Sequence, residues 1–464
     1  MTGASTAPRL TRDALPHPES VPPVRIVHLG LGAFHRSHQA WYTARAADAD
    51  HWGIAAFTGR RPDAAEVLAA QDCVYTLIER GPAEDRFELI GSIVEAAAGD
   101  DIARFAATFA SPDVAIVTLT VTEAGYLVDA AGELDVDDPD VRSDIRLLQR
   151  VLVDGDESST FAEAPRTVLG RLLLGLHARR LADVSAVAIV PCDNLPENGP
   201  LVCRALTRLA REVDHALADW LPQGASFVST SVDRITPRLD PDDRALVAAA
   251  TGWSDETPVV AEPFADWVLA GDFPSGRPQW ETAGARFVDD ITPWEARKLW
   301  MLNGAHTLLA SSGRLRGHTT VAEAFADPVC RDQVDELWDE AARNLPAVDT
   351  TDYRTALAER FANPRIVHRL GQIAEGSPTK MRLRIVPLAR AERAAGRSAT
   401  GCATAVAAWI RQEAPGADPR SELRELAPDL ADDERFAATV ETAWRAYTAE
   451  QTTRSAGPRS RSEA

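Results

Sequence analysis

The sequence predicts an α/β protein: an N-terminal Rossmann-type, doubly wound sheet domain followed by a mainly α-helical C-terminal domain. Three observations carry that expectation. Near-continuous apolar runs, VRIVHLGLG (24–32), GIAAFTG (53–59), VAIVTLTV (114–121) and SAVAIVPCDN (185–194), alternate with helical segments, which is the pattern of parallel strands buried on both faces. The first of these runs ends in glycines and opens into a helical segment. From about Ile291 the periodicity is helical, with few β-rich runs.

Taken in order, residues 1–22 are rich in Pro and Ser and read as a flexible arm. AFHRSHQAWYTARAA follows the first strand with helical character, and RPDAAEVLAAQD follows the second. VYTLIER and FELIGSIVEA are β-rich and are expected as a hairpin. An acidic, loop-like segment lies near 135–144. PRTVLGRLLLGLHARRLAD is a long amphipathic helix, a further helix starts near Gly199, and SFVSTSVDR (226–234) is one more strand. The dinucleotide-binding domain is therefore expected over 23–285 and a helical substrate or catalytic domain over 286–450. Residues 451–464 read as a disordered tail.

The bulk numbers narrow the possible partners. A net charge of −20 argues against nucleic acid and anionic membrane. No run of 18 apolar residues is present, so no membrane span is expected. The N-terminus has no apolar signal region. The five cysteines form no C-x-x-C pair, which suits reduced thiols and a cytoplasmic location. A monomer is expected.

Gly30-Leu31-Gly32-Ala33-Phe34-His35 is two-thirds of G-x-G-x-x-G, with His35 in place of the third Gly. In a strand-turn-helix, two such glycines let the backbone approach a pyrophosphate. The second strand, which normally delivers an acid to the adenosine ribose, ends Phe57-Thr58-Gly59-Arg60-Arg61, with no acid before Asp63. NAD is the expected cofactor. An arginine such as Arg60 would suit a 2′-phosphate, so NADP stays open. Thr122 and Glu123 follow the buried run 114–121, at the strand end where open α/β sheets bind ligands. Asn194 follows another such strand; it either caps the next helix or donates its amide to a substrate oxygen.

The stretch 291–310, ITPWEARKLWMLNGAHTLLA, reads as one helix from Pro293. At ~100° per residue, Glu295 lies about 60° from Lys298, His306 about 80° and Asn303 about 140°. Four polar groups thus share one broad arc of an apolar helix, where each needs a partner. Lys298 and Lys380 are the only lysines among 49 basic residues. Lysine differs from arginine where the amine must lose its proton, so at least one of the two reads as a proton-transfer amine. Neither has a Tyr four residues before it; those positions are Trp294 and Gly376. No Cys/His set with zinc spacing is present, so no metal is expected.

LGLGAFHRSHQAWYT, TLTVTEAGY, CDNLPENG, SVDRITPR and the set Lys298, Asn303 and His306 together resemble the polyol-specific long-chain dehydrogenases, the mannitol dehydrogenase family, over about 24–387. The resemblance implies metal-independent hydride transfer with NAD(P) between a secondary alcohol of a linear polyol and its ketose. It implies Lys298 as general base, an oxyanion site of Asn194 and Asn303, and His306 orienting the substrate or the lysine. It also implies Glu295 as a proton relay to solvent, and Asp233 and Lys380 as substrate contacts. Mannitol 2-dehydrogenases carry an Arg eight residues before the second Lys. Here Gln372 stands there, as in the related fructuronate reductases, so D-mannonate is an alternative substrate; a mannitol 1-phosphate 5-dehydrogenase is another. A non-catalytic nucleotide- or sugar-binding protein is the rival of a different class.

Overall fold

Strand β1 (Val24–Leu29) carries apolar side chains on both faces, and it lies inside a six-stranded parallel sheet. The computed structural model describes residues 7–59, 61–129, 132–153 and 163–455. The strands that follow are β2 (Gly53–Phe57), β3 (Tyr75–Arg80), β4 (Asp85–Ile90), β5 (Ile93–Ala97), β6 (Ile116–Leu119) and β7 (Val187–Pro191). Then come β8 (Ala225–Phe227), β9 (Ser229–Asp233), β10 (Val259–Ala261), β11 (Asp266–Ala270) and β12 (Arg286–Phe287). The main sheet has the order β5-β2-β1-β6-β7-β8, and every pairing in it is parallel.

Alternation along the strands divides the core between the two faces. Val27 and Leu29 pack with Phe105, Leu172 and Leu206 on one side. Ile26 packs with Trp41, Tyr42 and Trp267 on the other. The sheet is thus covered twice, as the continuous apolar runs require.

Several segments differ from expectation. FELIGSIVEA is split: β4 pairs antiparallel with β3, while β5 joins the edge of the main sheet parallel to β2. SFVSTSVDR is split as well; β8 ends the main sheet, and β9 pairs with β11 in a separate three-stranded sheet. Strands of three to six residues are too short for a two-residue period to mark them. The acidic segment is capping, not loop: Asp138 accepts from the amides of Asp140 and Val141 and starts the helix Pro139–Leu148. Within the arm, Leu10 is 0% exposed and its amide donates to the Ser254 carbonyl, so that part is pinned. The helix Glu434–Ser455 runs past residue 450. Arg60, residues 1–6 and the chain after Ser455 lie outside the described residues.

The chain divides into two compact units, Met1–Thr292 and Pro293–Ala464. The second is built from helices. Its central helix, Gly304–Leu315, is buried from Gly304 to Gly313 and packs against Thr400–Glu413. The helices Val321–Ala326 and Pro328–Arg343 meet at Asp327, whose carboxylate accepts from the Val329 amide and caps the second.

Candidate active site

In the first unit the glycines behave as the sequence requires. Gly30 has φ +106°, and a Cβ there would lie 2.3 Å from the Thr120 carbonyl oxygen, so only glycine fits. At Gly32 a Cβ would meet only the Gly30 oxygen, at 3.5 Å; its bareness keeps the backbone approachable. Ala33 is exposed and Phe34 is partly buried against His38. A cleft of about 480 Å³ opens at the ends of β1, β2 and β6, lined by Gly30, Thr58, Gly59, Thr120, Thr122 and Arg171. The Arg171 guanidinium donates to the Thr58 and Gly59 carbonyls and fixes the end of β2. A glycine-lined cleft at the C-terminal ends of parallel strands fits a dinucleotide.

The ring of His35 turns away from this cleft. It is 0% exposed and stacks on His28 with ring centroids 3.3 Å apart, so it faces the sheet and not the cleft. The ring occupies the place where a third glycine would allow close helix–strand packing.

Glu123 and Asn194 come together: the Asn194 amide nitrogen donates to a Glu123 carboxylate oxygen at 3.4 Å. Both are exposed. Asn194 is not the helix cap, because Asn198–Val213 begins after Glu197. The structural asparagine of this loop is Asn198, which sequence reasoning passed over. Its amide donates to the Pro191 and Thr230 carbonyls, and its oxygen accepts from the Thr230 amide. Asp193 beside it accepts from the Tyr126 hydroxyl at 2.6 Å, and burial pushes its carboxyl up. Asp233 is buried at the end of β9.

In the second unit the stretch from Pro293 is not one uniform helix. Thr292–Arg297 and Gly304–Leu315 are α-helical, and Lys298–Asn303 between them is a π-helical turn. The Gly304 amide reaches back to the Leu299 carbonyl, five residues earlier. In an i→i+5 turn a residue five positions on lies roughly one turn further. Lys298 and Asn303 therefore stand nearly one above the other, not the ~140° apart that α geometry gives. Side chains take up the disturbed carbonyls: the Trp338 indole donates to Met301 O at 2.9 Å, and the Thr307 hydroxyl donates to Asn303 O at 2.9 Å. Lys298, Asn303 and Glu295 are half-buried.

His306 is 7% exposed, and its Nε2 has no hydrogen-bond partner among the described residues. Its ring lies 4.7 Å from that of His368, edge to face, and 4.8 Å from Phe361. Burial first, then His368, Arg360 and Arg384, hold its pKa well below the ordinary 6.5. Lys380 donates to the Ile373 carbonyl at 2.8 Å, and burial and Arg384 lower its pKa. Gln372 is exposed on the short helix Leu370–Ala374, and no polar contact ties it to Lys380. His368 and Arg384 join this group without having been singled out in the sequence; the only available signal was Arg384 one helical turn after Lys380. Among the described residues no group of three or more His, Cys, Asp or Glu is placed to hold a metal ion, and no helix is long and apolar enough to cross a membrane.

Residues 24–282 match the mannitol dehydrogenase Rossmann domain, and residues 290–447 match the mannitol dehydrogenase C-terminal domain. The chain belongs to the mannitol dehydrogenase family. It is 36% identical to the D-mannonate oxidoreductase of Escherichia coli K12 over 434 residues, which covers 91% of this chain and 86% of that one. It is 35% identical to the mannitol 2-dehydrogenase of Cereibacter sphaeroides, covering 89% and 84%. The structure of Pseudomonas fluorescens mannitol 2-dehydrogenase, in ternary complex with NAD and D-mannitol, matches with a TM-score of 0.72 at 32% identity, covering 94% of this chain and 95% of that one.

Proposed function

We propose that Lys298, in its amine form, takes the proton from a secondary hydroxyl of a linear polyol while the hydrogen on the same carbon leaves as hydride. The chain is an NAD-dependent oxidoreductase of the mannitol/fructose type. The observation that carries the reading is the π turn, which stacks Lys298 and Asn303 and places His306 one helical turn after Asn303. Bound NAD supplies the hydride acceptor.

Asn303 and Asn194 supply the amides that hold the developing alkoxide. His306, kept neutral by burial, offers its Nε2 to a substrate hydroxyl and orients it. Glu295, three residues before Lys298, passes the proton on to solvent. Asp233 and Lys380 contact further hydroxyls of the chain. The protein acts in the cytoplasm as a monomer. The test is steady-state turnover with mannitol, arabinitol, sorbitol and mannitol 1-phosphate, each with NAD; no turnover with any of them and none with mannonate returns the chain to the class of non-catalytic binding proteins.

One observation favours a second reading, a hexonate such as D-mannonate. Arg384 is partly buried, donates only to the Asn303 carbonyl at 3.4 Å and the Thr307 hydroxyl at 3.1 Å, and has no carboxylate partner among the described residues. A partly buried guanidinium with only neutral partners suits an anionic substrate group. Gln372 agrees with it. A kcat/KM at least about tenfold higher for mannonate than for mannitol, lost in Arg384→Gln, decides for the hexonate.

A further inference from the structure

Tyr126 ends the short 3₁₀ turn Glu123–Tyr126 that follows β6. Its side chain is 0% exposed and belongs to the apolar core that also holds Leu134, Leu201 and Val202. A phenylalanine would fill that place as well, so the buried hydroxyl needs its own account. It donates to Asp193 Oδ2 at 2.6 Å. Asp193 stands two residues after β7 and is 5% exposed. Strands β6 and β7 are parallel neighbours, so one buried hydrogen bond joins the loops at their C-terminal ends. Glu123 and Asn194, both exposed, are carried by those two loops.

The Asp193 carboxylate has further partners. Its Oδ1 accepts from the Leu195 amide at 2.8 Å and from the Asn198 side-chain amide at 3.4 Å. On the other side of Asn194, the Cys192 amide donates to the Leu119 carbonyl at 2.8 Å. The backbone around Asn194 is therefore held by the sheet before it and by the Asp193 carboxylate after it. Asn198 is tied in turn to the Pro191 and Thr230 carbonyls, and the Thr230 hydroxyl donates to Pro191 O at 2.6 Å. These groups form one buried node at the ends of β7 and β9, and the Tyr126 hydroxyl brings the loop after β6 into it. A hydroxyl donated to a buried carboxylate is among the stronger hydrogen bonds, and a buried carboxylate that loses a donor is costly.

We propose that Tyr126 and Asp193 are positioning residues for the reaction: their hydrogen bond sets where the Asn194 amide points. The inference rests on the reading of Asn194 as a donor to the developing alkoxide. Asn194 is exposed, so its aim depends on the backbone that carries it. A donor misplaced by about 1 Å can cost about 10²-fold in rate.

A double-mutant cycle on the full-length protein tests this, read by single-turnover hydride transfer with NAD and either mannitol or mannonate. Tyr126→Phe removes the hydroxyl and keeps the ring. It should slow hydride transfer by about 10–10²-fold, with KM for the substrate and affinity for NADH within about twofold of wild type. In the Asn194→Ala background the same substitution should change the rate by less than about twofold, because the group it acts through is gone. Asp193→Asn should behave as Tyr126→Phe does. A merely structural role lowers the melting temperature and leaves the rate of the folded protein alone in both backgrounds. An unchanged single-turnover rate in Tyr126→Phe, or an equal slowing in both backgrounds, overturns the proposal. A loss that falls on KM alone overturns it too. Where Tyr126→Phe does not fold, Asp193→Asn takes its place in the cycle; if neither folds, the pair belongs to the fold and the proposal falls. A slow Asn194→Ala beside a normal Tyr126→Phe overturns this inference alone. An unslowed Asn194→Ala overturns the reading beneath it, and a wild type that transfers no hydride with either substrate removes both.

Discussion

Two pairs of histidines, one in each unit, show how the same side chain serves packing in one place and recognition in another. His28 and His35 lie flat on each other, both 0% exposed, at 3.3 Å and 8° between planes. His28 Nδ1 meets the Thr118 hydroxyl at 2.8 Å and its Nε2 meets the Thr120 hydroxyl at 3.1 Å. His306 and His368 meet edge to face at 4.7 Å, with Arg360, Arg384 and Lys380 close enough to disfavour protonation. Burial lowers the pKa in both pairs. A ring nitrogen without a partner does not by itself mark a ligand site, since both nitrogens of His35 lack one as well. The surroundings decide: His35 is sealed against the sheet, while His306 follows Lys298 and Asn303 among cations.

The largest break in this comparison comes from Lys298. Lys298→Ala should lower kcat by about 10²–10⁴-fold, the range of positioned acid–base groups, with nucleotide affinity unchanged. Lys298→Arg should be nearly as inactive, because guanidinium does not give up its proton. Near-normal turnover in either variant removes Lys298 as base.

The two asparagines come next. Asn194→Ala and Asn303→Ala should each slow single-turnover hydride transfer by about 10²–10³-fold, in both directions. Under the proposed roles the double variant should lose less than the product, since groups that act as a unit are not additive. Asn194 is exposed and caps no helix, so its removal should shift stability by no more than about 0.5 kcal/mol. A melting-temperature loss with unchanged single-turnover rate assigns it a structural role.

How much of this was legible in the sequence depends on how far away the cause lies. Gly30 was legible, because its positive φ and its contact with Thr120 are demands that only glycine meets. The apolar runs β1, β2, β6 and β7 were legible for a similar reason: burial on both faces leaves few polar positions, and His28 and Thr118, which are buried there, satisfy each other. The set Lys298, Asn303 and His306 was legible as chemistry but not as geometry. The π turn that stacks the first two is supported by Trp338 and Arg384, 37 and 81 residues from the carbonyls they reach, and a local helical wheel contains neither. His35 was legible only as a motif position, because the motif counts along the chain, while its ring turns inward onto His28. Arg384 was missed because the absence of a carboxylate partner is a tertiary fact.

A smaller effect separates the histidine pairs directly. His306→Ala should reduce kcat/KM by about 10²-fold, the scale of a misplaced substrate, with little change at saturating stability. His28→Leu should do the reverse, leaving kcat/KM for the polyol near normal while the Thr118 and Thr120 hydroxyls lose a partner, at a cost of about 1–3 kcal/mol. A His28 variant that folds well and loses turnover makes the first pair functional and ends the distinction.

The smallest effect is in the pH dependence of stability, and its sign follows from the direction of the shift. His28 keeps a neutral ring in the folded chain down to about 3, because burial disfavours the cation, whereas its ordinary value is 6.5. Between those values the unfolded chain binds a proton that the folded chain does not, so stability rises with pH there and is lost as pH falls below 6.5. One such group contributes about 1.4 kcal/mol per pH unit, or about 2 kcal/mol between pH 6.5 and pH 5. Urea unfolding of the wild type and His28→Leu at pH 8.0, 6.5 and 5.0 measures it. The variant should start lower at pH 8.0 and lose less on acidification, so that the two curves converge towards pH 5. Parallel curves mean that His28 is protonated in the folded state at pH 5, and that the threonine hydroxyls hold an imidazolium. The same experiment on His306→Ala bears on the second unit, where the pKa is also held below 6.5 and the sign is the same. There a bound anion beside Arg384 should lift the His306 pKa by supplying the missing negative charge, so adding the preferred hexonate should flatten the acid loss for the second pair and leave the slope due to His28 unchanged.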